Sequence, residues 1–238
     1  MIWTGDVKEI HGRLQALGDP QRAKVLQRFF KTGPGEYGEG DVFLGIRVPE
    51  VRKLARQYQS LPLSETLVVL QSSIHEARLL ALLILVRAYL KGDASLQQRI
   101  YDLYLQNTRF INSWDLVDLS AEHVVGRHLR DASKVPLHTL AVSDLMWERR
   151  IAVIATFHYI KLGEFAETLH IAGLMLNDPE NLIHKAVGWM LREIGKRDRT
   201  VEEGFLKKHY RSMPRTMLRY AIEKFPEDLR LRYLKGEV

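Results

Sequence analysis

Apolar positions recur along this chain at helical spacing, one amphipathic segment after another, with no convincing strand alternation. Asp6 to Leu17 predicts a first helix, which Gly18 interrupts. Asp19-Pro20 starts a second one, aspartate as N-cap and proline at the first helical position, ending near Lys31. Pro49 opens the next, through Val51, Leu54 and Ala55. Further helices are expected at about 64–72, 74–91, 94–106, 113–129, 136–142, 144–161, 164–176, 180–196, 200–211, 214–224 and 227–234. Ser64, Asp93, Ser113, Ser143, Asp178-Pro179 and Ser212-x-Pro214 mark their starts. The Gly-rich stretch 32–41 has no Gly-Lys-Ser/Thr and no preceding strand, so a mobile surface loop is expected there rather than a phosphate cradle.

Short connections favour antiparallel neighbours. A weak internal period supports stacked pairs: Arg78, Trp114, Arg150, Lys185 and Arg219 lie on long helices at spacings of 36, 36, 35 and 34 residues. Two helices per unit of that length suit an α-solenoid of the HEAT kind, since the Trp, Leu-Gly and Tyr pattern of TPR repeats is not recognisable. The expectation is an all-α fold, one HEAT-like repeat domain over residues 1–238 with no linker. In such a stack those five positions share one side, and so do the positions four later: Leu82, Asp118, Ile154, Trp189 and Glu223.

The content of 46% hydrophobic and 27% charged residues is ordinary for a soluble protein with a sizeable core. Without cysteine there is no disulfide, no thiol catalysis and no Cys-based zinc site. The longest apolar run, Leu79 to Val86, is too short to span a bilayer. Met1-Ile2-Trp3-Thr4-Gly5-Asp6 runs into an amphipathic segment rather than a signal peptide, so a cytoplasmic location is expected. The net charge of +6 is uneven: 14 basic and 10 acidic residues in 1–100, 7 and 11 in 101–180, 14 and 8 in 181–238. The basic end reads either as a solvated tail or as a polyanion-binding face.

A few side chains break the core pattern. On helix 180–196, Ile183, Val187, Met190, Leu191 and Ile194 form an apolar arc, and Trp189 lies about 140° from its centre, beside Lys185, Arg192 and Lys196. Trp189 reads either as packing on a neighbouring repeat or as an aromatic platform in a basic groove, with rings on sugars or bases and cations on phosphates. Arg150 falls in the middle of the stripe Met146, Val153, Ile154 and Phe157, which calls for a structural ion pair or for a phosphate ligand. Its neighbour Arg149 is expected to be solvated. On helix 113–129, Trp114 and Asp118 lie four residues apart, ring above carboxylate. Trp114 alone reads as core. Asp118, at the margin of the arc, needs a partner, whereas Asp115 is explained as a favourable charge at the helix N-terminus. HExxH, metal-spaced histidines and Gly-x-Ser-x-Gly are all absent, and no metal is expected.

Three stretches carry a family resemblance: Phe43-Leu44-Gly45-Ile46-Arg47-x-Pro49-Glu50-x-Arg52, Ser113-Trp114-Asp115-x-Val117-Asp118, and Lys185-Ala186-x-Gly188-Trp189-x-Leu191-Arg192-Glu193. Together with Arg219-x-Ala221-Ile222 they resemble the AlkD-type DNA glycosylases of the bacterial DNA alkylation repair family, from about Gln21 to Phe225. The FLGI stretch by itself marks mainly the superfamily.

The resemblance implies a HEAT-like solenoid with a concave basic groove for double-stranded DNA. It implies excision of N3- and N7-alkylated purines such as 3-methyladenine and 7-methylguanine, without metal or cofactor. The family's catalytic trio falls on Trp114, Asp118 and Trp189, and its backbone-contacting arginine on Arg150. Lys185, Arg192, Lys196 and Arg219 are the further DNA-binding candidates. A tyrosine near the DNA in the best-known member corresponds to Phe29 or Phe30 here, a departure in the first helices. The expected protein is a cytoplasmic, nucleoid-associated monomer that binds no membrane. The competing class is a non-catalytic helical-repeat scaffold for DNA or protein.

Overall fold

Asp19 shows how local chemistry sets the helix borders. Its carboxylate accepts from the N–H groups of Gln21 and Arg22 at 3.1 and 3.0 Å, and Pro20, which has no N–H to leave unpaired, takes the first helical position. Asp93 caps the N–H of Leu96 in the same way, and Asp198 that of Val201. A computed structural model describes residues 5–238, and the reading of Met1 to Thr4 lies outside them.

The chain forms two compact units. The first, up to Val124, contains α1 (Gly5–Ala16), α2 (Pro20–Phe29), α3 (Val48–Gln57), α4 (Leu63–Leu70), α5 (His75–Lys91), α6 (Ala94–Gln106) and α7 (Trp114–Ala121). The second, from Val125, contains α8 (Arg127–Leu129), α9 (Val135–Ala141), α10 (Met146–Ala155), α11 (Phe157–Lys161), α12 (Ala166–Leu174), α13 (Asn181–Gly195), α14 (Arg199–His209), α15 (Arg215–Ala221) and α16 (Glu227–Lys235). The expected all-α class of paired helices is what each unit shows. Among the described residues the only extended pairing is an isolated bridge between Val42 and Ile74.

Each unit is built round one helix. α5 packs against α3, α4, α6 and α7. It is buried on nearly every side, so the apolar run Leu79 to Val86 is a core helix. No helix among the described residues is long and apolar enough to cross a membrane. In the second unit α13 is the hub, against α10, α11, α12, α14 and α15. Its predicted arc of Ile183, Val187, Met190, Leu191 and Ile194 is buried. Gly188 lets α15 approach, since a Cβ there would stand 2.4 Å from the Met217 carbonyl oxygen.

Several borders differ from the sequence reading. α4 begins at Leu63 behind Pro62, which leaves Ser64 inside the first turn. Ser113 occupies the N-cap position of α7, but its hydroxyl bonds Asp115 at 2.7 Å rather than a backbone N–H. The segment 144–161 is two helices parted at Thr156, whose hydroxyl donates to the Val153 carbonyl at 2.7 Å. The segment 113–129 is helical throughout but contains a wider π-type turn, Glu122–Gly126. The Gly-rich stretch lies at the surface, closed by its own carboxylates: Gly33 N–H donates to Glu36 and Gly35 N–H to Glu39, both at 2.9 Å.

Candidate functional site

In the first unit, α7 presents Trp114 and Asp118 one turn apart, both half-buried. The indole is not sunk in aliphatic core. It lies parallel to the Phe30 ring at 5.3 Å with an interplanar angle of 8°, and Phe29, 62% exposed, meets it edge-on at 6.1 Å. Phe30 in turn stacks on Phe43, and Phe43 on His75. The Asp118 charge is felt by Tyr104, a fully buried phenol whose pKa is raised by burial and further by that carboxylate.

Beneath this aromatic stack runs a chain of buried charges. Asp41 accepts from Arg78 at 2.5 Å and from Asn112 at 3.1 Å, and faces His75 Nδ1 at 3.3 Å. His75 Nε2 lies 2.8 Å from Asp115. Burial opposes a charge on this imidazole, yet the two carboxylates on either side of it raise its pKa above the ordinary value. Burial likewise works against ionised Asp41, but His75, Arg78 and Asn112 hold its pKa below the usual carboxylate range. Asp115 is therefore one end of a four-residue ionic chain that anchors the first turn of α7.

The Phe43-Leu44-Gly45-Ile46 stretch folds round the neighbouring residue of α5. Glu76 accepts from the N–H groups of Leu44, Gly45 and Ile46, the shortest contact being 2.7 Å to Gly45. Gly45 has φ +82, and a Cβ there would stand 2.2 Å from the Asp19 carbonyl oxygen. Both facts require glycine.

In the second unit, α13 presents Trp189 half-buried, its Nε1–H donating to Glu193 at 3.2 Å and its ring tilted on Phe157 at 5.8 Å. Lys161 lies over the other ring of that pair, Phe157, at 4.3 Å. Burial works against ionised Glu193, but hydrogen bonds from Lys196, Arg197 and Trp189 lower its pKa. Lys196 reaches Glu193 at 2.5 Å, and Arg192 pairs with Glu223.

The family model described as DNA alkylation repair enzyme matches residues 10–225. The chain belongs to the DNA alkylation repair enzyme family. Its fold is similar to that of a solved protein from Enterococcus faecalis described as a predicted DNA alkylation repair enzyme, with a TM-score of 0.68 and 18% identity over 88% of this chain and 97% of that one. No curated protein matches the sequence. Family membership assigns the chain to the repair of alkylation damage in DNA.

As a member of the alkylation repair family, the chain distributes its expected site residues unevenly. Trp114, one turn from Asp118, comes together with Phe29 and Phe30, the very positions where the resemblance departs from its best-known member. Lys185 is half-buried and Arg219 exposed, and among the described residues neither forms an ion pair. Arg192 and Lys196 already hold carboxylates. Arg150 is 5% exposed and donates to the Leu182 carbonyl at 2.6 Å. Arg149 is not solvated as its position suggests: only 13% of its side chain is exposed, and it reaches Asp178 at 2.6 Å and the carbonyls of Ser143 and Asp144. The Asp178-Pro179 turn that follows α12 places that carboxylate, a long-range pairing with no local signal. Asp115 does more than its place in the first turn suggests. A carboxylate at a helix N-terminus needs no partner to be explained, so its bond to a histidine 40 residues away could not be inferred.

Proposed function

We propose that this protein is a DNA glycosylase that excises cationic N3- and N7-alkylated purines, including 3-methyladenine and 7-methylguanine, from duplex DNA. The observation that carries the reading is the pairing of a half-buried indole with a carboxylate one helical turn away on α7, flanked by an exposed phenylalanine. The resemblance of the Trp114, Asp118 and Trp189 stretches to AlkD-type glycosylases supports the same reading.

In this proposal the alkylated purine, already positively charged, leaves without prior protonation. Cleavage of the glycosidic bond builds positive charge on the deoxyribose, as in glycoside hydrolysis. Asp118 stabilises that charge and orients the attacking water, which adds at the anomeric carbon and loses a proton. Trp114 and Trp189 each contribute cation–π attraction of about 0.5–2 kcal/mol. Lys185 and Arg219 are the cations on which phosphate binding relies most, because neither has a carboxylate to release. Arg192 and Lys196 would exchange Glu223 and Glu193 for phosphate, and Arg150 is the least accessible of the set. A monomer acting on double-stranded DNA in the cytoplasm, without metal or cofactor, completes the proposal.

The deciding experiment incubates the purified chain with duplex DNA carrying 7-methylguanine or 3-methyladenine and measures free base. Released alkylpurine above the spontaneous rate is the expected result. Binding without release would leave the non-catalytic scaffold.

A further inference from the structure

The Phe43 to Pro49 stretch is singled out by the sequence, yet the excision chemistry makes no use of it. In the first unit it walls an open cavity of about 370 Å³, within the range of about 300–1,000 Å³ common for small-ligand sites. Its walls are flat or apolar: Phe30, Phe43, Ile46 and Val48 all line it. Phe30 stacks on Trp114 and on Phe43, and Phe43 on His75, so three rings of the aromatic stack line this cavity.

Few of the polar groups along the cavity have capacity to spare. Glu76 is filled by three backbone N–H groups, and both nitrogens of His75 face carboxylates. Arg22 is bonded to the Gly45 carbonyl and to Asp19. Two groups are different. Asp115, with its side chain 20% exposed, retains acceptor positions beyond those used by His75 and Ser113. Arg47 is exposed and, apart from a longer-range attraction to Asp19, makes no ion pair among the described residues. An occupant that satisfies this lining has a flat body for the rings, an N–H donor for a carboxylate and an anion for a guanidinium.

We propose that this cavity is a nucleotide-binding subsite, with the base against Phe30 and Phe43, a base N–H on Asp115 and the phosphate on Arg47. The same chemistry is offered by a free nucleoside monophosphate and by an unpaired nucleotide within a strand. The subsite does not depend on excision, and base release is read in a separate assay, so either idea can fail alone.

Calorimetric titration of the full chain tests it, using deoxyguanosine monophosphate, deoxyguanosine, inorganic phosphate, and a short duplex with or without one unpaired nucleotide. The expected result is binding of the monophosphate, with the nucleoside and phosphate each weaker by about tenfold or more. Tighter binding of the duplex with an unpaired nucleotide than of the paired one, with no binding of the monophosphate, assigns the subsite to a strand and equally supports it. Val48→Trp, at a position 44% exposed, fills the cavity mouth while sparing the fold, and should abolish that binding without lowering the thermal midpoint. Arg47→Ala should weaken the monophosphate by about tenfold and leave the nucleoside unchanged. Inorganic phosphate binding as tightly as the nucleotide, Val48→Trp binding like the parent protein, or no preference in either arm overturns the proposal.

Discussion

His75 holds Asp115 at 2.8 Å across the gap between α5 and α7, with its other ring nitrogen on Asp41. Because the folded pKa of His75 is raised above 6.5, the proton it binds stabilises the fold fully below that value. That contribution is lost as pH rises through the raised pKa. Asp41 has the opposite sign: lowered below 3.8, it stabilises above that value and the gain is lost as pH falls. The thermal midpoint is therefore expected to hold between these limits and to decline on both sides. Calorimetry from about pH 5 to about 9 should show an alkaline decline that His75→Gln flattens. Equal slopes in both proteins would mean the network does not titrate with folding.

Asp118→Asn is the sharpest test of the proposed chemistry. It should lower single-turnover release of 7-methylguanine by about a hundredfold or more, about 2.7 kcal/mol. Affinity for the same duplex should change little, because the amide keeps the shape. Unchanged release would remove the carboxylate from the mechanism.

Trp189→Ala separates platform from packing. Loss of one cation–π contact is worth about 0.5–2 kcal/mol, up to about thirtyfold in rate. Removing a fully buried tryptophan would cost about 3–5 kcal/mol of stability, and a half-buried one should cost distinctly less. A large fall in thermal midpoint with an unchanged rate per folded molecule would place Trp189 with the core.

Gly45→Ala should destabilise the first unit by about 3 kcal/mol or more, since left-handed strain and overlap with the Asp19 carbonyl add. Urea titration measures it. Gly204→Ala is the control: a methyl there meets nothing within 4 Å, and helix propensity alone should make it neutral or stabilising.

Lys185→Ala and Arg219→Ala should each weaken duplex binding irrespective of sequence and reduce the slope of log affinity against log salt by about 1. Fluorescence anisotropy at several salt concentrations reads both effects. Slopes equal to the parent's would free these cations from the interface.

Periodicity and capping made most of the helices legible, because those signals are local. The buried arc of α13 and the capping carboxylates of Asp19 and Asp93 follow from residues a few places apart. The π-type turn at Glu122–Gly126 did not, since the pattern of apolar residues continues through it. Its Gly126 answers to Ala155, whose carbonyl oxygen would lie 2.0 Å from a Cβ at that position. Of the candidate site, Trp114, Asp118 and Trp189 sit in stretches that the sequence singles out. What supports them was not legible: Arg78 and Asp41 meet across 37 residues, and Arg149 and Asp178 across 29. Charged residues announce a need for partners without saying which ones.

Glu76 has a further consequence. A concave row of amides is a natural receptor for an anion, and in the loop after Asp41 that receptor is filled by the protein's own carboxylate. Those amides are closed to any other anion while Glu76 holds them. What the loop can offer a ligand is left to its side chains, which are not needed to hold the turn's amides in place.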